Sequence, residues 1–256
     1  MGRRLRGVWR LARAVLHGLH GLVLVLLVFP RLDVATRRQR IRWWSAKMLA
    51  VLGVGLAVEG VEPIAAGLLA INHVSWLDIM AVHAVAPQAR FVSKADVKAW
   101  PLVSRLVDSA GTLYLERERK RDALRVVRVV AESLAAGETV AIFPEGTTST
   151  GHGLLPFHAN LLQSAVTARR PIQPIALRYS ETDHAVSEAV EFVGRTTMRE
   201  SLWRTACGDG VVARLVFLPP RDAADADRRV LAVALRADIA AALGVDAAAT
   251  ASRAPG

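Results

Sequence analysis

Cysteine is nearly absent: Cys207 is the single one in 256 residues. That excludes a disulfide framework and any Cys-x-x-Cys pair, and it suits a domain facing a reducing compartment. Around it, Thr205-Ala206-Cys207-Gly208-Asp209 supplies no histidine and no run of bases, so a catalytic thiolate is not expected there. Metal-ligand spacing is lacking as well. His73 and His83 stand ten apart, and His17 and His20 sit in an apolar segment without acids. His152 and His158 read as loop and helix-start residues, and His184 lies in a polar loop. No His-Glu-x-x-His is present, and neither is the Gly-x-Ser-x-Gly elbow of an α/β-hydrolase. No metal and no other cofactor is expected.

Acids are scarce at the start of the chain. Eleven of the 33 lysines and arginines fall in residues 1–50, against one acid, Asp33. That stretch therefore carries the whole formal charge of +10, and the rest balances at 22 against 22. A basic segment interleaved with apolar residues reads as a device for an anionic membrane surface, at about 1 kcal/mol per base near the surface. A nucleic-acid partner is not expected, because the bases interrupt an apolar run and no nucleic-acid-binding motif appears. Residues 14–30 are 17 uncharged positions bordered by Arg13 and Arg31. At 1.5 Å per residue they barely match the ~30 Å hydrocarbon thickness. Arginines at both ends give no orientation. A second apolar stretch, 48–58, is too short to span, and Trp43 and Trp44 ahead of it suit an interfacial depth. Two helices dipping into one leaflet are expected, with a single span as the alternative. A cleaved signal peptide is disfavoured, since no small-residue cleavage pattern follows Phe29-Pro30-Arg31.

Two turns carry the chemistry. Asn72-His73-Val74-Ser75-Trp76-Leu77-Asp78 follows the apolar run 67–71, and Phe143-Pro144-Glu145-Gly146-Thr147-Thr148-Ser149 follows the run 139–143. Two loaded turns after strand-like segments suggest one site at the carboxyl edge of a sheet. Ser75-x-x-Asp78 is also a capping box opening a helix over 79–85. On a regular helix, His73 and Asp78 would lie about 140° apart around the axis. They can meet only if His73 occupies the turn before that helix, so the capping and catalytic readings are compatible. Histidine, with an unperturbed pKa of about 6.5, suits a general base near neutral pH. A carboxylate on its other ring nitrogen would fix the tautomer and stabilise the imidazolium.

His73-x4-Asp78 followed by Phe143-Pro144-Glu145-Gly146 resembles the glycerolipid acyltransferase family, whose type member acylates lysophosphatidic acid, a 1-acyl-sn-glycerol-3-phosphate. Gly111-Thr112-Leu113-Tyr114-Leu115-Glu116-Arg117 resembles that family's second block, and Pro171-Ile172-Gln173-Pro174-Ile175-Ala176-Leu177 its fourth. The blocks stand in family order over roughly residues 60–180. The resemblance implies His73 as the base, Asp78 as its orienter, and acyl transfer directly from a thioester donor, acyl-ACP or acyl-CoA. It also implies that Arg117, Glu145 and Gly146 contact the glycerol phosphate of a lyso-lipid acceptor, with Thr147 contributing. Lys94, after the strand-like 91–93, is a second candidate cation. Arg119, Lys120 and Arg121 read as solvated charges opening a helix.

From Gly67 onward, strand-like segments (68–71, 90–93, 112–115, 140–143, 172–177, 189–193, 211–217) alternate with helix-like ones (79–85, 122–136, 160–167, 229–243). The fold expected is a single α/β domain, 59–246, with a mixed, mostly parallel sheet flanked by helices. A membrane-associated helical segment, 1–58, precedes it and a small, polar, disordered tail, 247–256, follows. The enzyme is expected at the inner membrane with its catalytic domain facing the cytoplasm. Lysophosphatidic acid is the acceptor expected, and lyso-ornithine lipid is the alternative within the same chemistry. A non-catalytic lipid-binding protein and a soluble thioester hydrolase are the readings outside it; the hydrolase would leave the basic segment unexplained.

Overall fold

A computed structural model describes residues 2–94, 101–115 and 120–246. Its centre is set by runs of apolar residues too continuous to face water on either side. β2 (Gly67–Ile71) and β5 (Thr139–Ile142) are buried at every position, and β6 (Ile172–Ser180) at most of its positions. Strands covered on both faces read as unbroken apolar segments, the signature of a parallel sheet between helical layers. β7 (Val211–Phe217) instead alternates buried and more exposed positions. With β1 (Val54–Gly60), β3 (Arg90–Lys94) and β4 (Leu113–Leu115) these form one seven-stranded sheet, ordered β1-β7-β6-β2-β5-β3-β4. Every neighbouring pair is parallel except β6 with β7. The mixed, mostly parallel α/β sheet expected from the alternation is what the chain forms.

Alternation along β2 divides the core between the two faces. Leu69 and Ile71 point towards α2 (Val34–Leu52) and α3 (Leu77–His83), where they meet Leu52, Leu77 and Val82. Leu68 and Ala70 point to the other layer, α5 (Lys120–Ala135), α6 (Gln163–Ala168) and α8 (Arg228–Leu243). On α5 the buried stripe is Val126, Val130 and Leu134, and Gly137 closes the helix at φ 81°. Each such side chain buried contributes about 1.5–3 kcal/mol.

Several expectations are corrected. The apolar stretch 48–58 is not one helix: α2 stops at Gly53, whose φ of 83° is the left-handed conformation that ends helices, and the chain re-enters as β1. The expected boundary between 58 and 59 therefore falls inside an edge strand of the sheet. The segment 189–193 is not a strand; it turns across the top of the sheet, where the Phe192 N–H donates to the Val74 carbonyl at 3.3 Å. Two helices, α4 (Pro101–Ser109) and α7 (Met198–Cys207), were not anticipated. α7 carries a legible start signal, a capping box between Thr197 and Glu200.

The N-terminal bases also behave differently from expectation. α1 (Arg3–Val23) continues through a π turn and a 3-10 turn to Arg31, the one described helix long and apolar enough to cross a membrane. It pairs with α2 as a hairpin. The Trp44 ring stacks on His17 with centroids 5.2 Å apart, each side chain bonding the other's carbonyl. Gly21 permits this, because a Cβ there would stand 2.4 Å from the indole nitrogen. One face of α1 leaves Leu5, Val8, Leu16 and Leu19 exposed, and Leu27 in the π turn continues it. Arg3, Arg6 and Arg10 occupy another face and point inward. Arg3 donates to the Cys207 carbonyl at 3.1 Å, Arg10 to those of Ala206 and Gly208 at 3.1 and 2.7 Å, and Arg6 pairs with Asp209 at 3.1 Å. Cys207, without bases beside it in sequence, has them beside it in space, on its carbonyl and not on its thiol. Cations at the carboxyl end of α7 also complement its dipole. Replacing Arg10 by alanine is expected to leave those carbonyls without donors, costing about 1–3 kcal/mol of docking. Faster proteolysis of α1 with an unchanged sheet core would show it.

Candidate active site

Parallel pairing of β2 with β5 runs Leu68 against Val140 and Ala70 against Ile142, so both strands end on the same edge. The His73 turn and the Phe143-Pro144-Glu145-Gly146 turn therefore emerge side by side. Asn72 secures the first of them, because its side chain exchanges two hydrogen bonds with the Leu177 backbone of β6, at 2.7 and 2.9 Å.

His73 lies on the turn ahead of α3, and Asp78 is in the first turn of that helix. Nδ1 of His73 and Oδ2 of Asp78 are 2.7 Å apart. Asp78 is completely buried, where an unpaired carboxylate would be costly, and it is surrounded by donors. The Val74 N–H donates to it at 2.8 Å, the Ser75 N–H at 3.1 Å and the Tyr179 hydroxyl at 2.9 Å. Burial and this carboxylate push the Tyr179 hydroxyl well above its usual pKa, so it remains a donor. Only half of the expected capping box forms: the carboxylate takes the Ser75 N–H, while the Ser75 hydroxyl is buried with no partner among the described residues. With Nδ1–H committed to Asp78, Nε2 is the ring nitrogen able to accept a proton. Phe143 stacks on the imidazole with centroids 3.8 Å apart and planes 10° from parallel, and Phe91 lies behind Phe143 at 5.5 Å.

The Glu145 carboxylate faces inward. Its Oε1 accepts the His73 N–H at 2.7 Å and its Oε2 the Leu155 N–H at 2.9 Å. Burial pushes its pKa up to about 7, against the opposing pull of those two N–H donors. The His73 carbonyl in turn accepts from the Ser149 N–H at 2.8 Å. The peptide of His73 is thus held from both sides. Gly146 takes a φ of 70°, and a Cβ there would approach His158 to 3.1 Å. Gly146 and Thr147 are exposed at the mouth of the turn. Lys94 is the last residue of β3, which runs parallel to β5 towards the same edge. Arg117 lies outside the described residues. His83 is a core residue: its Nε2 bonds the Ala89 carbonyl at 2.9 Å, and burial pushes it down to about 4, keeping it neutral.

Tyr179, Phe143 and Ser149 were not singled out from the sequence. Tyr179 could have been, since it stands two residues beyond Leu177 on β6 and so shares the face turned towards Ile71.

The Acyltransferase family model matches residues 55–178. The lyso-ornithine lipid O-acyltransferase of Pseudomonas aeruginosa is 38% identical over 204 residues, covering 79% of this chain and 78% of the relative. The 1-acyl-sn-glycerol-3-phosphate acyltransferase of Neisseria meningitidis is 39% identical over 186 residues, 71% of each. The chain belongs to the glycerolipid acyltransferase family. It is an acyltransferase acting on lyso-lipids. The crystal structure of the 1-acyl-sn-glycerophosphate (LPA) acyltransferase PlsC from Thermotoga maritima has the same fold, with a TM-score of 0.66 at 19% identity over 92% of this chain and 96% of that one.

In this acyltransferase Glu145 has a raised folded-state pKa, so the stability it contributes is full below its unfolded value and is lost as pH rises through about 7. Denaturant melts of the native protein and Glu145→Gln between pH 5 and 8 are expected to show the native protein losing stability relative to the variant as pH rises.

Proposed function

We propose that the protein transfers a fatty acyl group from acyl-ACP or acyl-CoA to the free hydroxyl of lysophosphatidic acid, giving phosphatidic acid. The observation that carries this reading is the 2.7 Å contact of His73 Nδ1 with a buried Asp78, which leaves Nε2 to act as base. The acceptor hydroxyl gives its proton to Nε2 as its oxygen attacks the thioester carbonyl. Asp78 stabilises the imidazolium that forms. The tetrahedral intermediate then collapses, the C–S bond breaks, and the departing thiolate takes the proton back. No covalent bond to the protein is formed. Gly146 and Thr147 border the acceptor, with Arg117 and Lys94 as the cations for its phosphate. Each oxygen of Glu145 accepts one backbone N–H, so in this reading the buried carboxylate braces the turn behind His73 and holds Gly146 where the acceptor is met. The α1–α2 hairpin sits in one leaflet of the inner membrane with its exposed apolar face in lipid, and the site opens to the cytoplasm, where thioester donors and a lipid acceptor can meet.

A second acceptor has a specific observation behind it. The Pseudomonas relative, named for lyso-ornithine lipid, is as similar to this chain as the Neisseria enzyme named for acylglycerol phosphate.

The decisive assay offers a labelled long-chain acyl thioester with lysophosphatidic acid and lyso-ornithine lipid separately. Label is expected in phosphatidic acid, and His73→Ala is expected to lower the rate about 10²- to 10⁴-fold. Label in the ornithine lipid alone would keep the chemistry and change the acceptor. Transfer to neither would leave a lipid-binding protein. Tyr179→Phe, which removes one donor from Asp78, is expected to cost about 1.5–3 kcal/mol of stability in a melt.

A further inference from the structure

We infer that Arg236, in the middle of α8 and remote in sequence from all four family blocks, is a positioning residue for acyl transfer, acting on His73 through the backbone of Leu155 and the carboxylate of Glu145. The inference rests on His73 being the base, as proposed above.

The segment after the Glu145 turn passes under α8, and Leu154 and Leu155 are buried there. Buried carbonyls require donors. Arg236 supplies them: Nε donates to the Leu155 carbonyl at 3.0 Å and Nη2 to the Leu154 carbonyl at 2.7 Å. One planar guanidinium thus holds two successive carbonyls, and its bond to the Leu154 carbonyl fixes the orientation of the peptide unit joining Leu154 to Leu155. That peptide carries the Leu155 N–H. It points at Glu145 Oε2, 2.9 Å away, while Oε1 of the same carboxylate takes the His73 N–H at 2.7 Å. The path from α8 to the imidazole is therefore guanidinium, peptide, carboxylate, peptide, with every link a hydrogen bond of ordinary length. Each link has few ways to relax, because Leu154, Leu155 and Glu145 are buried and no third donor reaches the Glu145 carboxylate among the described residues.

Packing between α8 and this segment does not depend on the arginine. Leu154 lies in an apolar cluster with Ile239, Ala240 and Leu243, which would remain when Arg236 is truncated. The expected effect of truncation is a reoriented Leu155 peptide, a Glu145 carboxylate with one donor fewer, and a displaced His73. A displacement on the order of 1 Å can lower a rate about 100-fold. Lysine could reach one of the carbonyls but lacks the planar fork that holds both.

The test uses the full-length protein with Arg236→Ala, Arg236→Lys and Glu145→Gln. In Arg236→Ala, kcat is expected to fall about 10- to 100-fold with the KM of donor and acceptor little changed, and Arg236→Lys is expected to recover part of the loss. Glu145→Gln should remove most of the sensitivity, so that adding Arg236→Ala to it lowers kcat little further. A lowered melting temperature with unchanged kcat per folded molecule would overturn the inference, as would effects of the two substitutions that simply multiply. Amide hydrogen exchange at His73 and Leu155 separates this inference from the proposed function. Faster exchange at both in Arg236→Ala supports the linkage even if the native protein acylates neither lyso-lipid. Unchanged exchange sinks it whatever the enzyme acylates.

Discussion

Asp78 is a fully buried carboxylate, and the turn that carries His73 is organised around supplying it with hydrogen-bond donors. An isolated anion in that position would cost far more than a domain's net stability. It persists because two backbone N–H groups, a tyrosine hydroxyl and an imidazole converge on it. Those donors come from the His73 turn and from β6, so the anion draws together the end of one strand and the end of its neighbour. Charge-assisted bonds of this kind are about twice as strong as neutral ones and more demanding in geometry. The imidazole is therefore presented in a single tautomer and orientation before any substrate arrives.

A second carboxylate performs a different task a few ångströms away. Glu145 touches the backbone of His73 where Asp78 touches its ring, and the two acids fix the residue at separate points. Their environments differ accordingly. Asp78 has four donor groups; Glu145 has two, and burial holds its pKa near 7. Phe143, the residue that ends the β5 run, lies flat against the imidazole and closes one of its faces.

Much of this is readable in the residues before any coordinates. The runs ahead of His73 and ahead of Glu145 are apolar enough to be central strands, and the His73–Asp78 spacing is usable only with His73 outside the helix, which is where it lies. What is hidden has physical reasons. Val54 to Val58 continues an apolar helical stretch, and only Gly53 marks where the helix gives way to a strand. Arg3, Arg6 and Arg10 look like membrane-facing charges because no local pattern shows that carbonyls of α7, some 200 residues away, need donors. That Glu145 braces the His73 turn is invisible in the sequence because its partners are backbone groups, which carry no sequence signature. Residues 189–193 have the composition of a strand, but they turn beside the His73 loop, where the Phe192 N–H donates to the Val74 carbonyl.

The reversal of β7 against β6 has a consequence for how the chain is made. β1 pairs with β7, Val54 against Val211 through Gly60 against Phe217, so the strand leading out of the helical hairpin finds its neighbour more than 150 residues later. During synthesis the hairpin and β1 leave the ribosome well before β7, and β1 cannot be hydrogen-bonded to its partner until Phe217 has emerged. Long-range parallel pairing of this kind forms late. The hairpin can therefore fold while still on a loose leash, and the closing of β7 beside β1 then turns that leash into a fixed mount, with the hairpin assembled before the sheet is complete.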